Sequence, residues 1–84
     1  MAVIRYRVAW FNIEESEWVR DPVWNNMLCY ARQKTVPFVR FLKQAMEDIL
    51  AEYSATIYEE LDSDDTYVDF PDLESFVQWR LTWL

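Results

Sequence analysis

The side chains in this chain that could carry chemistry are almost all carboxylates. Fifteen Asp and Glu residues stand against eight Lys and Arg residues, and the 84 residues include no histidine and no glycine. Without histidine there can be no Ser-His-Asp or Cys-His nucleophile pair and no zinc site of the His-bearing type. Without glycine there is no Walker loop and no Rossmann fingerprint. The composition therefore argues against most enzyme chemistry.

The remaining candidates for catalysis are one thiol and pairs of carboxylates. Cys29 has no histidine partner and falls in the middle of a predicted helix, which favours a small packed residue over a reactive thiol. Glycoside hydrolysis needs two carboxyl groups across a cleft, one of them with a raised pKa. The acids here lie in polar runs of a chain too small for such a cleft. We predict a protein that is not an enzyme and needs no cofactor.

One acidic segment partly matches a calcium-binding loop. Asp62, Asp64 and Thr66 occupy the first three alternating ligand positions of an EF-hand. The sharp-turn position holds Tyr67 instead of glycine, and the terminal bidentate position holds Leu73 instead of glutamate. Because both diagnostic positions fail, we predict a solvated acidic turn and no metal site. A loose divalent-ion site in this turn is the weaker alternative.

The longest chemical feature is a run of eight carboxylates that no basic residue interrupts. Its members are Glu59, Glu60, Asp62, Asp64, Asp65, Asp69, Asp72 and Glu74. The run can be a solvated face that aids solubility, or a patch that docks on an Arg/Lys-rich surface of a protein partner. Such basic surfaces often bind nucleic acid. The net charge of −7 argues against direct binding of a nucleic-acid backbone by this chain.

Aromatic residues make up 18% of the chain, a high fraction for its size. The inward stripe of the last predicted helix consists of Leu73, Phe76, Val77, Leu81 and Leu84. Trp79 and Trp83 lie beside that stripe, and Trp18 falls in a connector. Core packing is favoured for each tryptophan, but Trp79 and Trp83 are also candidate partner contacts. An exposed pair would favour a second function, a self-associating structural or assembly subunit.

Periodicity predicts the elements that position these residues. Residues 3–11 alternate as a strand with Ile4, Tyr6, Val8 and Trp10 on its buried face, and a short strand around Trp18 can follow. Three helices are predicted, at 22–34, 37–53 and 71–83. Segments 55–58 and 66–70 favour a hairpin. The four-residue spacing of Tyr53, Ile57 and Leu61 leaves open a central helix that continues to Leu61.

The predicted fold is a single α+β domain over residues 1–84, with a small antiparallel sheet covered by two or three helices. Two arginines interrupt the apolar N-terminal run, so we expect neither a signal peptide nor a membrane span, and a cytoplasmic location. Small size, acidity and missing catalytic residues resemble in type the virus-encoded inhibitors, including anti-CRISPR proteins and DNA mimics, although no motif assigns the chain to such a family. We expect a regulator or inhibitor that binds a basic protein surface.

Overall fold

The computed structural model describes residues 3–35, 42–60 and 62–84. Within them, a four-stranded antiparallel sheet carries three helices on one face. The elements are β1 (Ile4–Asn12), β2 (Glu17–Arg20), α1 (Pro22–Thr35), α2 (Leu42–Ala51), β3 (Thr56–Glu59), β4 (Thr66–Phe70) and α3 (Leu73–Trp83). The strand order is β2-β1-β4-β3, so β1 and β4 are central. The predicted α+β class is confirmed, and none of the described helices has the length and apolar character needed to cross a membrane.

The hairpin formed by β3 and β4 is confirmed, and the central helix ends before it. The amide of Ser54 donates to the Ala51 carbonyl and the amide of Ala55 donates to the Leu50 carbonyl, each at 3.0 Å. This is a Schellman ending, in which the residue after the helix takes a left-handed conformation. Glycine usually occupies this position, but the chain has none, so Ser54 adopts the left-handed conformation with φ 55°. The predicted start of this helix, at residue 37, lies outside the described residues.

A β-bulge in β1 changes which face its later residues occupy. Arg7 pairs with Tyr67, but the next pair is Ala9 with Thr66, so Val8 is the extra residue. Ala9 therefore joins the buried face and Trp10 turns to the outer face, where the Arg7 guanidinium lies 4.3 Å from the Trp10 ring centroid. The prediction that Trp10 shares the buried face with Tyr6 is wrong, because strict alternation does not survive a bulge.

The hydrophobic core lies between the inner face of the sheet and the helices. Its largest fully buried side chains are Trp79, Phe70, Met27, Leu50, Val8, Val23 and Val68. Phe70 lies 5.3 Å from the rings of both Phe76 and Trp79, and the Trp79 Nε1 donates to the Met27 sulfur at 3.4 Å. Aromatic packing of this kind ties β4, α1 and α3 together.

The orientation of α3 differs from the predicted inward stripe, of which only Phe76 packs against the core. Trp79 is completely buried, and the half-buried Trp83 packs its ring 5.1 Å from that of Tyr30. The other apolar side of the helix faces solvent, with Leu73, Val77, Leu81 and Leu84 all exposed. A helix that is apolar over more than half its circumference cannot bury every side chain against one sheet, and the two indoles have the larger area to bury. Trp79 thus packs in the core, as the sequence favoured, and presents no surface to a partner in this structure.

A buried carboxylate joins three elements beneath the sheet. Asp21 is 8% exposed, and its Oδ1 caps α1 by accepting from the Val23 amide at 2.9 Å. Its Oδ2 accepts from the Tyr6 hydroxyl of β1 and from Arg80 Nη1 of α3, the latter at 3.2 Å. Burial by itself raises the pKa of Asp21, but the hydrogen bonds from Tyr6 and Arg80 outweigh it and lower the pKa below its ordinary value.

Candidate functional site

The eight carboxylates that are contiguous in sequence do not form one surface. The first five, from Glu59 to Asp65, lie at the end of the sheet where β3 meets β4. Asp69 lies on the outer face and accepts from Arg5 Nε and Nη2 at 2.8 and 2.9 Å. Asp72 caps α3 by accepting from the Ser75 amide at 2.8 Å. Thus Asp69, Asp72 and the neighbouring Glu74 are not part of the same patch.

Topology instead brings a second acidic turn beside the first. β1 runs antiparallel to both β2 and β4, so the β1–β2 turn and the β3–β4 turn lie at the same end of the sheet. A depression of about 270 Å³ is lined by Phe11 of β1, by Ile13 of the β1–β2 turn and by residues 62–65 of the β3–β4 turn. We call this end the acidic edge. Its carboxylates are Glu14, Glu15, Glu17, Glu59, Glu60, Asp62, Asp64 and Asp65.

Short polar contacts fix the backbone of both turns. The Asn12 side-chain oxygen accepts from the amides of Glu14 and Glu15 at 3.1 and 3.3 Å, and Ser16 closes that turn with φ 53°. In the second turn, Ser63 donates to Glu60 at 3.1 Å and accepts from the Asp65 amide at 3.2 Å. These side-chain hydrogen bonds replace the glycines that such turns usually use.

Few cations neutralise the acidic edge. Among the described residues, Arg7 lies 3.6 Å from Asp65 and Lys43 lies 3.8 Å from Glu59, and the other six carboxylates of the edge have no ion pair. Both pairs are open to solvent and are long for ion pairs, so they offset little of the negative charge. Burial, together with the charges of Glu60 and Asp65, raises the pKa of Tyr67. The edge therefore keeps a net negative potential.

Apolar side chains flank these charges. Ile13 is 82% exposed at the tip of the first turn, and Trp18 is 58% exposed on β2, so the core packing favoured for Trp18 is wrong. The Trp18 ring packs edge-on against Phe11, with centroids 5.5 Å apart, and Phe11 lines the depression between the turns. An aromatic anchor beside a charged rim is the usual composition of a protein-binding surface.

The outer face of the sheet is covered by its own side chains. Arg5 stacks 4.0 Å from the Tyr58 ring centroid while it pairs with Asp69, and Arg7 stacks on Trp10. No described helix covers this face. The two guanidinium groups pack on its aromatic rings and pair with its carboxylates. Sequence reasoning placed the arginines on this face but did not pair them with Asp65 and Asp69.

The described residues contain no cluster of metal ligands, and known proteins offer no guide to the site. No group of three or more carboxylate or Cys side chains in the described ranges is arranged to hold a metal ion. Comparison with protein-family models, curated proteins and solved structures finds no match for the chain. The acidic edge is therefore the candidate functional site. Its missed members, Glu14, Glu15 and Glu17, were visible in the sequence as a separate cluster, but only strand pairing joins them to the longer run.

Proposed function

We propose that this chain is a protein-binding module without enzymatic activity, which docks its acidic edge on a basic surface of a partner protein. The observation that carries the proposal is the meeting of two acidic turns at one end of the sheet, where six of eight carboxylates have no cation partner in the described part of the chain. Such a potential steers the approach of a basic partner and opposes the approach of an acidic one.

The chemistry of the edge suits a surface that otherwise binds nucleic acid. Carboxylates held on ordered turns offer anionic oxygens to Arg and Lys side chains, as phosphates do. Ile13 and Trp18 add apolar contacts that a phosphate backbone lacks, so the module can compete with nucleic acid for the same groove. We therefore propose inhibition by occupancy. The prediction that Cys29 is a packed residue is wrong, since its side chain is exposed, and a reducing cytoplasm suits such a lone thiol.

The test is displacement of a fluorescently labelled DNA duplex from a polyarginine peptide, titrated at several salt concentrations. The unmodified chain should release the duplex, with an apparent affinity that falls as salt rises. The edge variant carries Glu14→Gln, Asp62→Asn and Asp64→Asn, which remove three charges and keep the side-chain shapes. We expect it to bind about tenfold more weakly, from the sum of three exposed ion pairs.

A matched control removes the same number of charges elsewhere. Asp48→Asn, Glu52→Gln and Glu74→Gln change three exposed carboxylates away from the acidic edge, two of them on helices and one directly after α2. If this control weakens binding as much as the edge variant does, net charge alone governs the effect and the acidic edge is not the site. A separate variant, Trp18→Ser, tests the apolar contact. Its affinity should be compared with that of the unmodified chain at high salt, where charge contributes little. A lower affinity of the variant there would support an apolar anchor beside the charges.

A further inference from the structure

The strand β3 forms an edge of the sheet, and the backbone of this edge is open. It lies at one end of the strand order, and in the described part of the chain no strand pairs with its side away from β4. Alternate residues of an edge strand direct both the N–H and the C=O away from the sheet. β3 pairs with β4 in unbroken register and contains no lysine, proline or bulge, which are features that usually block such an edge.

A groove of about 360 Å³ lies beside this open edge. Its lining residues come from α2, from the turn after it and from β3: Glu47, Ala51, Ala55, Thr56 and Ile57. None of them belongs to β4, so the groove lies on the open side of β3. The chain reverses between α2 and β3, and Lys43 near the start of α2 lies 3.8 Å from Glu59 at the end of β3. One wall of the groove is therefore α2, running antiparallel to β3. We call this feature the β3 groove.

The middle of the β3 groove carries a half-buried carboxylate without a cation. Glu47 lies one helical turn after Lys43 and one before Ala51, on the side of α2 that faces β3. Lys43 pairs with Glu59, and Glu47 has no ion pair among the described residues. A carboxylate that has lost part of its water and has no partner favours a cation from outside. The half-buried Ile57 adds an apolar floor beside it.

We propose that the β3 groove binds an extended segment of a partner protein, which adds a strand to the sheet beside β3 and places an arginine or lysine against Glu47. Backbone hydrogen bonds supply affinity in this mode of binding, and the side chains that enter the groove supply specificity. The aliphatic stem of the cation can pack on Ile57 while its charge meets Glu47. Two residues further along the segment, an apolar side chain fits the surface of Ala51 and Ala55. This groove is separate from the acidic edge, so the inference does not depend on the proposed function.

Charge disfavours a second copy of this chain as the occupant. Two β3 strands paired about Ile57 would bring two copies of Glu47 together. Each copy also has a net charge of −7 and carries Glu59 and Glu60 at the end of this strand. Like charges oppose such a contact, whereas a strand with a cation is attracted. The β3 groove therefore suits a basic segment of a different protein.

The test uses the peptide Thr-Val-Thr-Arg-Thr-Val-Thr with blocked ends, titrated into the full chain labelled with ¹⁵N. Its sequence reads the same in both directions, so a parallel and an antiparallel strand present the same side chains to the groove. We expect saturable binding at peptide concentrations up to about 1 mM, with amide shifts concentrated in β3 and around Glu47. Glu47→Gln should weaken binding about fivefold, as the loss of one ion pair. Glu52→Gln is the matched control, because Glu52 is exposed and lines a different depression with Ala45 and Ile49.

Two methylated peptides test the added strand itself on the unmodified chain. N-methylation of both valines removes N–H groups from one edge of the peptide, and N-methylation of the two threonines beside the arginine removes them from the other edge. An added strand uses only one of its edges. One methylated peptide should therefore lose at least about tenfold in affinity, and the other should lose less than about twofold.

Three results would overturn the proposal: no saturable binding of the peptide, equal losses with the two methylated peptides, or equal weakening by Glu47→Gln and Glu52→Gln. Circular dichroism checks that both variants remain folded. The variant of the acidic edge should bind the peptide like the unmodified chain, and Glu47→Gln should displace DNA from polyarginine as the unmodified chain does. Failure at one surface is thus distinguishable from failure at the other.

Discussion

Replacing Asp21 by asparagine should destabilise the fold much more than the same change at another helix cap. Asparagine caps a helix about as well as aspartate, so the hydrogen bond to the Val23 amide is kept. The charge that Arg80 and Tyr6 contact is lost. Asp72→Asn is the matched control, because Asp72 caps α3 at 2.8 Å but is exposed and has no ion pair among the described residues.

The magnitude follows from the contacts of Asp21. A hydrogen bond to a charged group contributes about 1.5–3 kcal/mol. The Arg80 side chain is 33% exposed, so water can replace part of its lost contact, and we expect a net loss of about 1–2 kcal/mol. A domain of this size has roughly 3–5 kcal/mol of net stability, so the loss would remove a large share of it. Asp72→Asn should cost close to zero.

Urea unfolding followed by tryptophan fluorescence measures both variants. The slope against urea should be unchanged, and the midpoint for Asp21→Asn should fall by about 1 M. The free energy of unfolding of Asp21→Ala should be lower still, by about 1 kcal/mol, because alanine also loses the helix cap. Equal midpoints for Asp21→Asn and Asp72→Asn would refute the reasoning, because they would mean that the contacts with Tyr6 and Arg80 contribute nothing beyond helix capping.

Three other perturbations test the core, the thiol and the response to pH. Because the pKa of Asp21 is lowered in the folded chain, its contribution to stability is complete above its ordinary pKa and is lost as the pH falls through the folded pKa. The free energy of unfolding of Asp21→Asn should therefore fall less on acidification than that of the unmodified chain. Trp79→Ala should cost about 3–5 kcal/mol, enough to unfold most of the chain by circular dichroism, because the indole is wholly buried against Met27. The exposed Cys29 should react fully with a thiol reagent in the folded chain, and circular dichroism should stay unchanged.

Local patterns predicted the elements well, because each depends on nearby residues. Alternation identified β1, apolar periodicity over residues 22–34 identified α1, and two strand-like segments identified the β3–β4 hairpin. The face of Trp10 was not predictable in this way, since the bulge at Val8 has no local signal and is visible only in the pairing of β1 with β4. One extra residue reverses every later side chain of a strand.

The prediction of which side of α3 faces the core failed for a different reason. The sequence offers two apolar sides, one of leucine and valine and one with Trp79 and Trp83, and periodicity alone does not rank them. Side-chain size does, because the fully buried Trp79 removes more apolar area from water than Leu81 would. The grouping of the carboxylates was unpredictable for a similar reason. Contiguity in sequence suggested one patch up to Glu74, but Asp69 is paired with Arg5 through strand pairing that no single segment encodes.

The acidic edge and the exposed apolar side of α3 lie at opposite ends of β4. The edge concentrates charge where β4 begins, whereas α3 begins after the last residue of β4, Phe70, and Glu74 is its one acidic residue. A basic partner bound at the acidic edge therefore leaves the exposed leucines of α3 uncovered. Binding at the charged surface and any role of the apolar one can thus be tested by separate variants, because the topology of this fold keeps the two surfaces apart.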